Sequence, residues 1–174
     1  MKTKKTKAAK KAIQERRQKA REFKTEYTKQ EALKELARFE LRGNVIDQGW
    51  FAHLKNDKGR VQPNAIFVLS EIVYWYRPTL VFDEETGNIK GLKAKFKDDM
   101  LQKSYTQLAE KFGLTKRQAE EACKFLEKKN LIVLDLRTVT LSNNRKLNNV
   151  LYIGLNINKL REISILMNDS LEII

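Results

Sequence analysis

Apolar residues recur with helical spacing in two short segments between residues 105 and 129, and a glycine separates the two. In the first segment the spacing i, i+1, i+4 predicts a helix with one apolar face. Gly113 can end that helix because glycine accepts a positive φ. Thr115 can cap the helix that follows. The second helix carries a narrow stripe of mostly small apolar residues that lets two helices cross closely, as a helix-turn-helix requires: Ala119, Ala122, Cys123 and Leu126.

After residue 130 the pattern changes from helical to alternating. Residues 131–139 and 150–157 predict two strands, and the polar residues 142–146 predict the turn between them. Together with the helix predicted at 63–76, these elements follow the order of a winged helix: three helices and then a two-stranded wing. The sequence therefore predicts an α+β fold of this kind.

Segments outside this unit predict further elements. Among their residues, we expect Trp50, Tyr74 and Trp75 to lie in the core. Pro63 suits the first turn of a helix, and the positive-φ residues near Gly87 suit a tight turn. The further predicted elements are a short strand or extended segment (45–54), a central buried helix (63–76), a β-hairpin (79–97), a short strand (100–104) and a C-terminal helix (158–173).

Positive charge is concentrated at the N-terminus. Residues 1–24 contain eleven basic and two acidic side chains, a net +9 of the +13 carried by the chain. Helix propensity is high there, but apolar residues are scarce until a packed helix predicted at 32–41. We therefore expect three regions: a basic arm, disordered or helical (1–42), a winged-helix domain (43–158) and a C-terminal helix (159–174).

The charge favours a polyanionic partner, because basic terminal arms bind phosphates and release counterions. We expect double-stranded DNA; an RNA partner is less favoured because no platform of sheet aromatics is evident. No apolar run approaches the ~20 residues of a membrane span, and the arm has no apolar face, so a membrane partner is not expected. The single cysteine, Cys123, offers no disulfide framework, which is compatible with a cytoplasmic protein.

No catalytic constellation is apparent, and we expect a protein that is not an enzyme. The only histidine, His53, lies next to aromatic residues and suits a structural role. Cys123 has no cysteine or histidine at metal-ligand spacing, and no phosphate loop is present. We expect no cofactor and no metal site.

Several motifs resemble the winged helix-turn-helix domains of phage and plasmid replication-initiation proteins, including replisome organisers and DnaD-like N-terminal domains. The matching segments are IVYWYRP (72–78), TQLAEKFGL (106–114), FLEKKNLI (125–132) and VLYIGLNINKL (150–160). The resemblance covers roughly residues 45–162 and implies DNA binding in replication initiation or its control. Winged-helix transcriptional regulators share the FLEKKNLI-type ending, so a transcriptional regulator of the same fold is an alternative.

The chain departs from the family pattern at two places. Asn130 stands where the family usually has glycine, and asparagine tolerates the left-handed conformation that this turn needs. Glu120 and Glu121 occupy a stretch that is often strongly basic in the family. These acids weaken phosphate attraction, contact a cytosine amino group, or indicate a protein-binding surface. The third option supports another alternative, a protein-binding adaptor that the arm tethers to nucleic acid.

Basic and polar residues in three places are the candidate DNA contacts, because N-terminal residues of a recognition helix contact base edges and cations bind phosphates. A replisome protein is a candidate second partner, and the C-terminal helix is a candidate homodimer contact. The candidate DNA-binding residues are Lys116, Arg117, Gln118, Glu121, Lys124 and Lys128 in the recognition helix, Arg145 and Lys146 in the wing, and Lys4, Lys5, Lys10, Lys11, Arg16 and Arg17 in the arm.

Overall fold

The computed structural model describes residues 2–26, 29–37 and 43–165, with side chains described for residues 10–22, 29–37 and 43–165. The helices are α1 (Lys2–Glu26), α2 (Lys29–Ala37), α3 (Gly49–His53), α4 (Pro63–Tyr76), α5 (Tyr105–Phe112), α6 (Lys116–Lys128) and α7 (Ile157–Ile163). The strands are β1 (Thr79–Phe82), β2 (Ile89–Lys93), β3 (Leu101–Gln102), β4 (Ile132–Thr140) and β5 (Lys146–Leu155). They form an α+β structure with two antiparallel sheets, β1-β2 and β3-β5-β4.

Helix α4 lies at the centre of the core. Nine of its fourteen residues are buried, as a helix that is apolar around most of its circumference requires. It packs against α2, α5, α6, β3 and β5. Pro63 opens the first turn, and Arg77 takes an extended conformation before Pro78, which ends the helix. The Tyr76 hydroxyl donates a hydrogen bond to the Ile153 carbonyl oxygen at 2.9 Å and so joins α4 to β5.

The three-stranded sheet is covered on both faces. On the inner face Leu134 and Ile153 are fully buried in the core around α4. On the outer face Tyr152 packs with Met100 and with Ala20 of α1. Helix α1 therefore packs on this face at Ala20.

The structure confirms most of the predicted elements. The central helix is α4, the hairpin is β1-β2, the short strand is β3, and the two amphipathic helices are α5 and α6. Helix α2 buries the apolar residues predicted to pack, from Ala32 to Ala37, whereas residues 38–42 lie outside the described residues. The last strand begins at Lys146, four residues earlier than predicted.

The prediction of a strand or extended segment at 45–54 was wrong for its second half, which is α3. The Asp47 carboxylate accepts hydrogen bonds from the backbone N–H of Gly49 at 2.7 Å and of Ile165 at 3.0 Å. A Cβ on Gly49 would lie 2.3 Å from the Ile163 carbonyl oxygen, so the close approach needs glycine. The Trp50 indole is buried, as predicted, and donates to the Ser164 hydroxyl at 2.9 Å. Packing against the end of α7 therefore selects the helical turn over the extended form.

The predicted C-terminal helix is shorter than expected. It begins at Ile157, with Asn156 as its cap, and ends at Ile163, because Ser164 is extended. Residues 166–174 lie outside the described residues, and so does most of the apolar face proposed for a homodimer contact.

The bond between α4 and β5 gives a prediction about stability. Replacing Tyr76 with phenylalanine should lower the free energy of unfolding by about 0.5–1.5 kcal/mol, because a buried carbonyl loses its partner. Urea denaturation followed by circular dichroism measures the change. The control is Tyr74→Phe, which removes the same hydroxyl from a half-buried ring on the same helix. Equal losses in the two variants would contradict the assigned role of the Tyr76 bond.

Candidate nucleic-acid interface

The turn between α5 and α6 is built by local hydrogen bonds. Ser104 and Gln107 cap α5 reciprocally. The Ser104 hydroxyl accepts from the Gln107 backbone N–H at 3.2 Å, and the Gln107 side-chain oxygen Oε1 accepts from the Ser104 backbone N–H at 2.9 Å. Thr115 and Gln118 form the same arrangement at α6, with distances of 3.2 and 2.8 Å. Gly113 has φ +64° at the end of α5, as predicted. These bonds set where each helix begins and ends.

The C-terminal end of α6 closes in the manner predicted for Asn130. This residue has φ +59°, and its N–H donates to the Glu127 carbonyl oxygen at 3.0 Å. The Leu131 N–H donates to the Leu126 carbonyl oxygen, also at 3.0 Å, which completes a Schellman motif. The predicted stripe is buried, and burial raises the pKa of the Cys123 thiol to about 12.

The face of α6 opposite the buried stripe is exposed and mixed in charge. Arg117 donates from Nε to the Glu121 carboxylate at 2.9 Å, and Lys124 donates to the Glu120 carboxylate at 2.6 Å. Both are i, i+4 pairs on a solvated helix, so each contributes little to stability. The pairs neutralise part of the positive charge of the helix, and the charged groups stay in contact with solvent. The exposed candidates on this face are Lys116, Arg117, Gln118, Glu121, Lys124 and Lys128.

Two further candidates on α6 also have contacts. The Gln118 side-chain oxygen Oε1 is used in the helix cap, which leaves its side-chain N–H groups for a ligand. The Lys128 ammonium lies 3.6 Å from the Asp57 carboxylate in the loop after α3, and both side chains are largely exposed. A phosphate can therefore displace this pair at little cost.

The turn between β4 and β5, residues 141–145, is exposed, and so are the adjoining strand ends from residue 140 to residue 149. The Arg145 N–H donates to the Asn143 side chain at 3.1 Å, and Asn144 has φ +59°, so the asparagines shape the turn as predicted. Arg145 and Lys146 are both exposed there.

The arm candidates separate into three groups. Lys10, Lys11 and Arg17 are exposed on α1. Lys4 and Lys5 lie on α1, but their side chains are outside the described residues. The third group is Arg16 alone, which contacts α6: it donates from Nη2 to the Glu127 carboxylate at 3.1 Å.

Glu127 was not singled out from the sequence, although it holds two elements together. One carboxylate oxygen accepts from Arg16, and the other accepts from the Leu134 N–H of β4 at 3.2 Å. Arg16 therefore differs from the other described arm candidates, because about a quarter of its side chain is exposed and it already has an anionic partner; its contact with phosphate stays a prediction. The i, i+7 spacing of Glu120 and Glu127 on α6 was the available signal for a contact along that face.

Tyr74 and Trp75 are half-buried and not fully enclosed as expected, although Trp75 packs against the core. The Trp75 indole N–H donates to the Glu71 carboxylate at 2.7 Å, and Lys103 donates to the same carboxylate at 2.5 Å. Asn44 supplies a third donor at 2.7 Å. Burial by itself raises the pKa of Glu71, but the three hydrogen bonds and the Lys103 charge outweigh it and lower the pKa below 4.5.

Within the ranges 2–26, 29–37 and 43–165, no helix is long and apolar enough to span a membrane. The same part of the chain has no group of three side chains of the types that bind metal ions. His53, expected to be structural, is exposed at the end of α3.

No protein-family model matches the sequence, and the searches of curated proteins and of solved structures found no significant match.

Ala20 is the buried residue of α1 in its contact with the sheet, so a charged side chain at this position should weaken the contact. Ala20→Asp should speed amide hydrogen exchange in α1 by about tenfold or more, because a polar group buried without a partner costs ~1–3 kcal/mol. Mass spectrometry of exchanged peptides measures the rate. Ala12→Asp makes the same change at an exposed position of the same helix and should have a smaller effect. If the two variants exchange alike, α1 is not held by this contact.

The lowered pKa of Glu71 predicts how stability depends on pH. Its folded-state value lies below 4.5, so the unfolded chain binds more protons as the pH falls. The stabilisation is therefore complete above pH ~5 and is lost as the pH falls through the folded-state value. Urea denaturation between pH 6 and 3 should show a smaller acid-induced loss for Glu71→Gln than for the unaltered chain. Glu84→Gln, in the exposed β1-β2 turn, should leave the loss unchanged; parallel curves for Glu71→Gln would contradict this assignment.

Proposed function

We propose that residues 63–155 form a winged helix that binds double-stranded DNA, with α6 as the recognition helix and the β4-β5 hairpin as the wing. The observation that carries the proposal is the arrangement of α6. Its small apolar stripe is buried against α4 and α5, and the whole opposite face, with the candidate cations, is exposed. A helix presented in this way fits the major groove.

The wing and the arm support the same function. The wing carries Arg145 and Lys146 at an exposed turn, where cations bind phosphates or the minor groove. Helix α1 lies against β4 and reaches α6 through the bond between Arg16 and Glu127. The exposed cations Lys10, Lys11 and Arg17 are therefore held beside the winged helix and add affinity that does not depend on sequence.

The proposed role of DNA binding is replication initiation, or its control, in a phage or plasmid. This step rests on the resemblance of the segments at 72–78, 106–114 and 125–132 to replication-initiation proteins. A transcriptional regulator of the same fold would use the same surfaces, and the DNA sequence that the protein selects separates the two.

A second candidate function is favoured by the charge on α6. Arg117 and Lys124 are held by Glu121 and Glu120 in the free protein, so the net positive charge of the exposed face is small. Such a mixed face suits a protein partner, for example a replisome protein. The arm would then supply the affinity for nucleic acid.

The test begins with selection of bound fragments from genomic DNA, followed by fluorescence anisotropy of the full chain across a salt series. Arg117→Ala should cost ~1–3 kcal/mol on the selected site and relax its base preference. Glu121→Gln should strengthen binding to random duplex DNA, because it removes a negative charge that competes with phosphate for Arg117.

The matched control is Lys34→Ala, which removes one positive charge from an exposed position on α2. A recognition helix predicts a much larger effect for Arg117→Ala than for Lys34→Ala. Replacement of Lys10, Lys11 and Arg17 with glutamine keeps α1 on the sheet while removing three charges. If this triple variant loses all DNA affinity and both α6 variants bind normally, the adaptor is the correct function.

A further inference from the structure

Two leucines lie exposed at the outer end of the wing. This end, called the wing tip and defined as residues 140–149, is exposed at every position. Leu141 is 39% exposed and Leu147 is 37% exposed, whereas Leu151 and Leu155 further along β5 are buried. Because turns are usually polar, a leucine on each side of this turn indicates a surface that another molecule covers.

The strand pairing places both leucines on the same face of the wing. Leu147 pairs with Val139 in the register of β4 and β5. Leu141 lies opposite Arg145, two positions nearer the turn, and its N–H donates to the Arg145 carbonyl oxygen at 2.9 Å. Since side chains alternate between the two faces along a strand, these four residues share one face. Two exposed leucines and one cation are therefore presented together.

Local geometry fixes the shape of the wing tip. Asn144 has φ +59°, and its N–H donates to the Leu141 carbonyl oxygen at 2.9 Å, which closes the turn. Nearer the body, Asn148 and Asn149 of β5 stand opposite the single residue Thr138, and Asn149 also has φ +59°. A bulge of this kind increases the twist of a hairpin. The leucines therefore lie on a preformed, twisted tip.

The charge of the wing tip is entirely positive. Arg145 and Lys146 are its charged residues, and no acidic residue lies between positions 138 and 149. Its uncharged polar side chains are hydroxyls and amides: Thr140, Ser142, Asn143, Asn144, Asn148 and Asn149. The minor groove of DNA offers hydrogen-bond acceptors and a negative potential to such groups. Charge complementarity therefore favours the minor groove as the partner of this surface.

We infer that the wing tip inserts Leu141 and Leu147 into the minor groove of duplex DNA and bends the duplex. This inference rests on the proposed function, in which the wing contacts DNA. Apolar side chains that enter the minor groove separate stacked base pairs and kink the duplex by ~20–90° toward the major groove. Arg145, on the same face as the leucines, contacts the acceptor atoms of the groove.

The first test measures ring closure of DNA by ligase. A duplex of about 100 bp is shorter than the persistence length of ~150 bp, so it closes slowly unless a protein bends it. The full chain, at a concentration that saturates the duplex in fluorescence anisotropy, should speed closure about tenfold or more. Leu141→Ala and Leu147→Ala, also compared at saturation, should lose most of this acceleration. An unchanged closure rate with the full chain bound would overturn the inference.

Two variants serve as controls for the leucine substitutions. Val81→Ala removes methyl groups from a side chain that is likewise 39% exposed, on the separate β1-β2 hairpin, and should leave the acceleration unchanged. Leu141→Met keeps an apolar side chain of similar volume and should retain it. Since all of these positions are exposed, urea denaturation should be the same for every variant. Equal closure rates for Leu141→Ala and Leu141→Met would overturn the inference.

Paired duplexes test which groove is entered. Two duplexes of about 20 bp, one with hypoxanthine in place of guanine, differ only in the amino group that guanine places in the minor groove. The full chain should bind the hypoxanthine duplex about fivefold more tightly, because its minor groove is less obstructed. Leu141→Ala should reduce this preference. Equal affinities of the full chain for the two duplexes would overturn the inference.

Further outcomes separate this inference from other uses of the wing tip. Leu141→Ala should leave the sedimentation coefficient of the full chain unchanged; a change from dimer to monomer would place the leucines between two copies and overturn the inference. A full chain that binds duplex DNA and enriches one sequence without faster ring closure would overturn this inference alone. A full chain that binds no duplex would overturn the proposed function as well.

Discussion

Burial of α4 positions the other elements, because a helix that is apolar around most of its circumference must be enclosed on nearly every side. Helices α2, α5 and α6 and the inner face of the β3-β5-β4 sheet supply that enclosure. The Tyr76 hydroxyl adds a directed contact by donating to the Ile153 carbonyl oxygen inside the core. With α4 enclosed, α6 has only one free face, and the cations on that face are presented together.

The positive charge of the described residues is balanced in different ways on α6, at the end of α4 and on α1. On α6 it is balanced by acids one turn away, and at the end of α4 it lies against aromatic rings. On α1 the Arg16 side chain is joined to Glu127, while other cations of the helix stay in solvent. The pairs on α6 keep their charge accessible to phosphate at low cost, since solvated ion pairs are weak.

Local patterns were enough to predict the helices and strands that carry the candidate site. The caps at Ser104 and Thr115, the left-handed turns at Gly113 and Asn130 and the buried stripe of α6 all depend on residues within a few positions of one another. The candidate contacts on α6 follow from this periodicity, because the positions opposite the stripe must be exposed. The candidates at the β4-β5 turn follow from the polar residues between the two strands.

The sequence by itself determined where α5 and α6 begin and end and which face of each is apolar, because capping and periodicity act over one or two turns. Tertiary structure decided the rest. Arg16 meets Glu127 across 111 residues, and Asp47 meets the backbone of Ile165 across 118, so neither contact leaves a trace in a local pattern. The exposure of Tyr74 and Trp75 was decided in the same way, since two aromatic residues at the end of an apolar helix are buried or exposed according to which elements pack beside them.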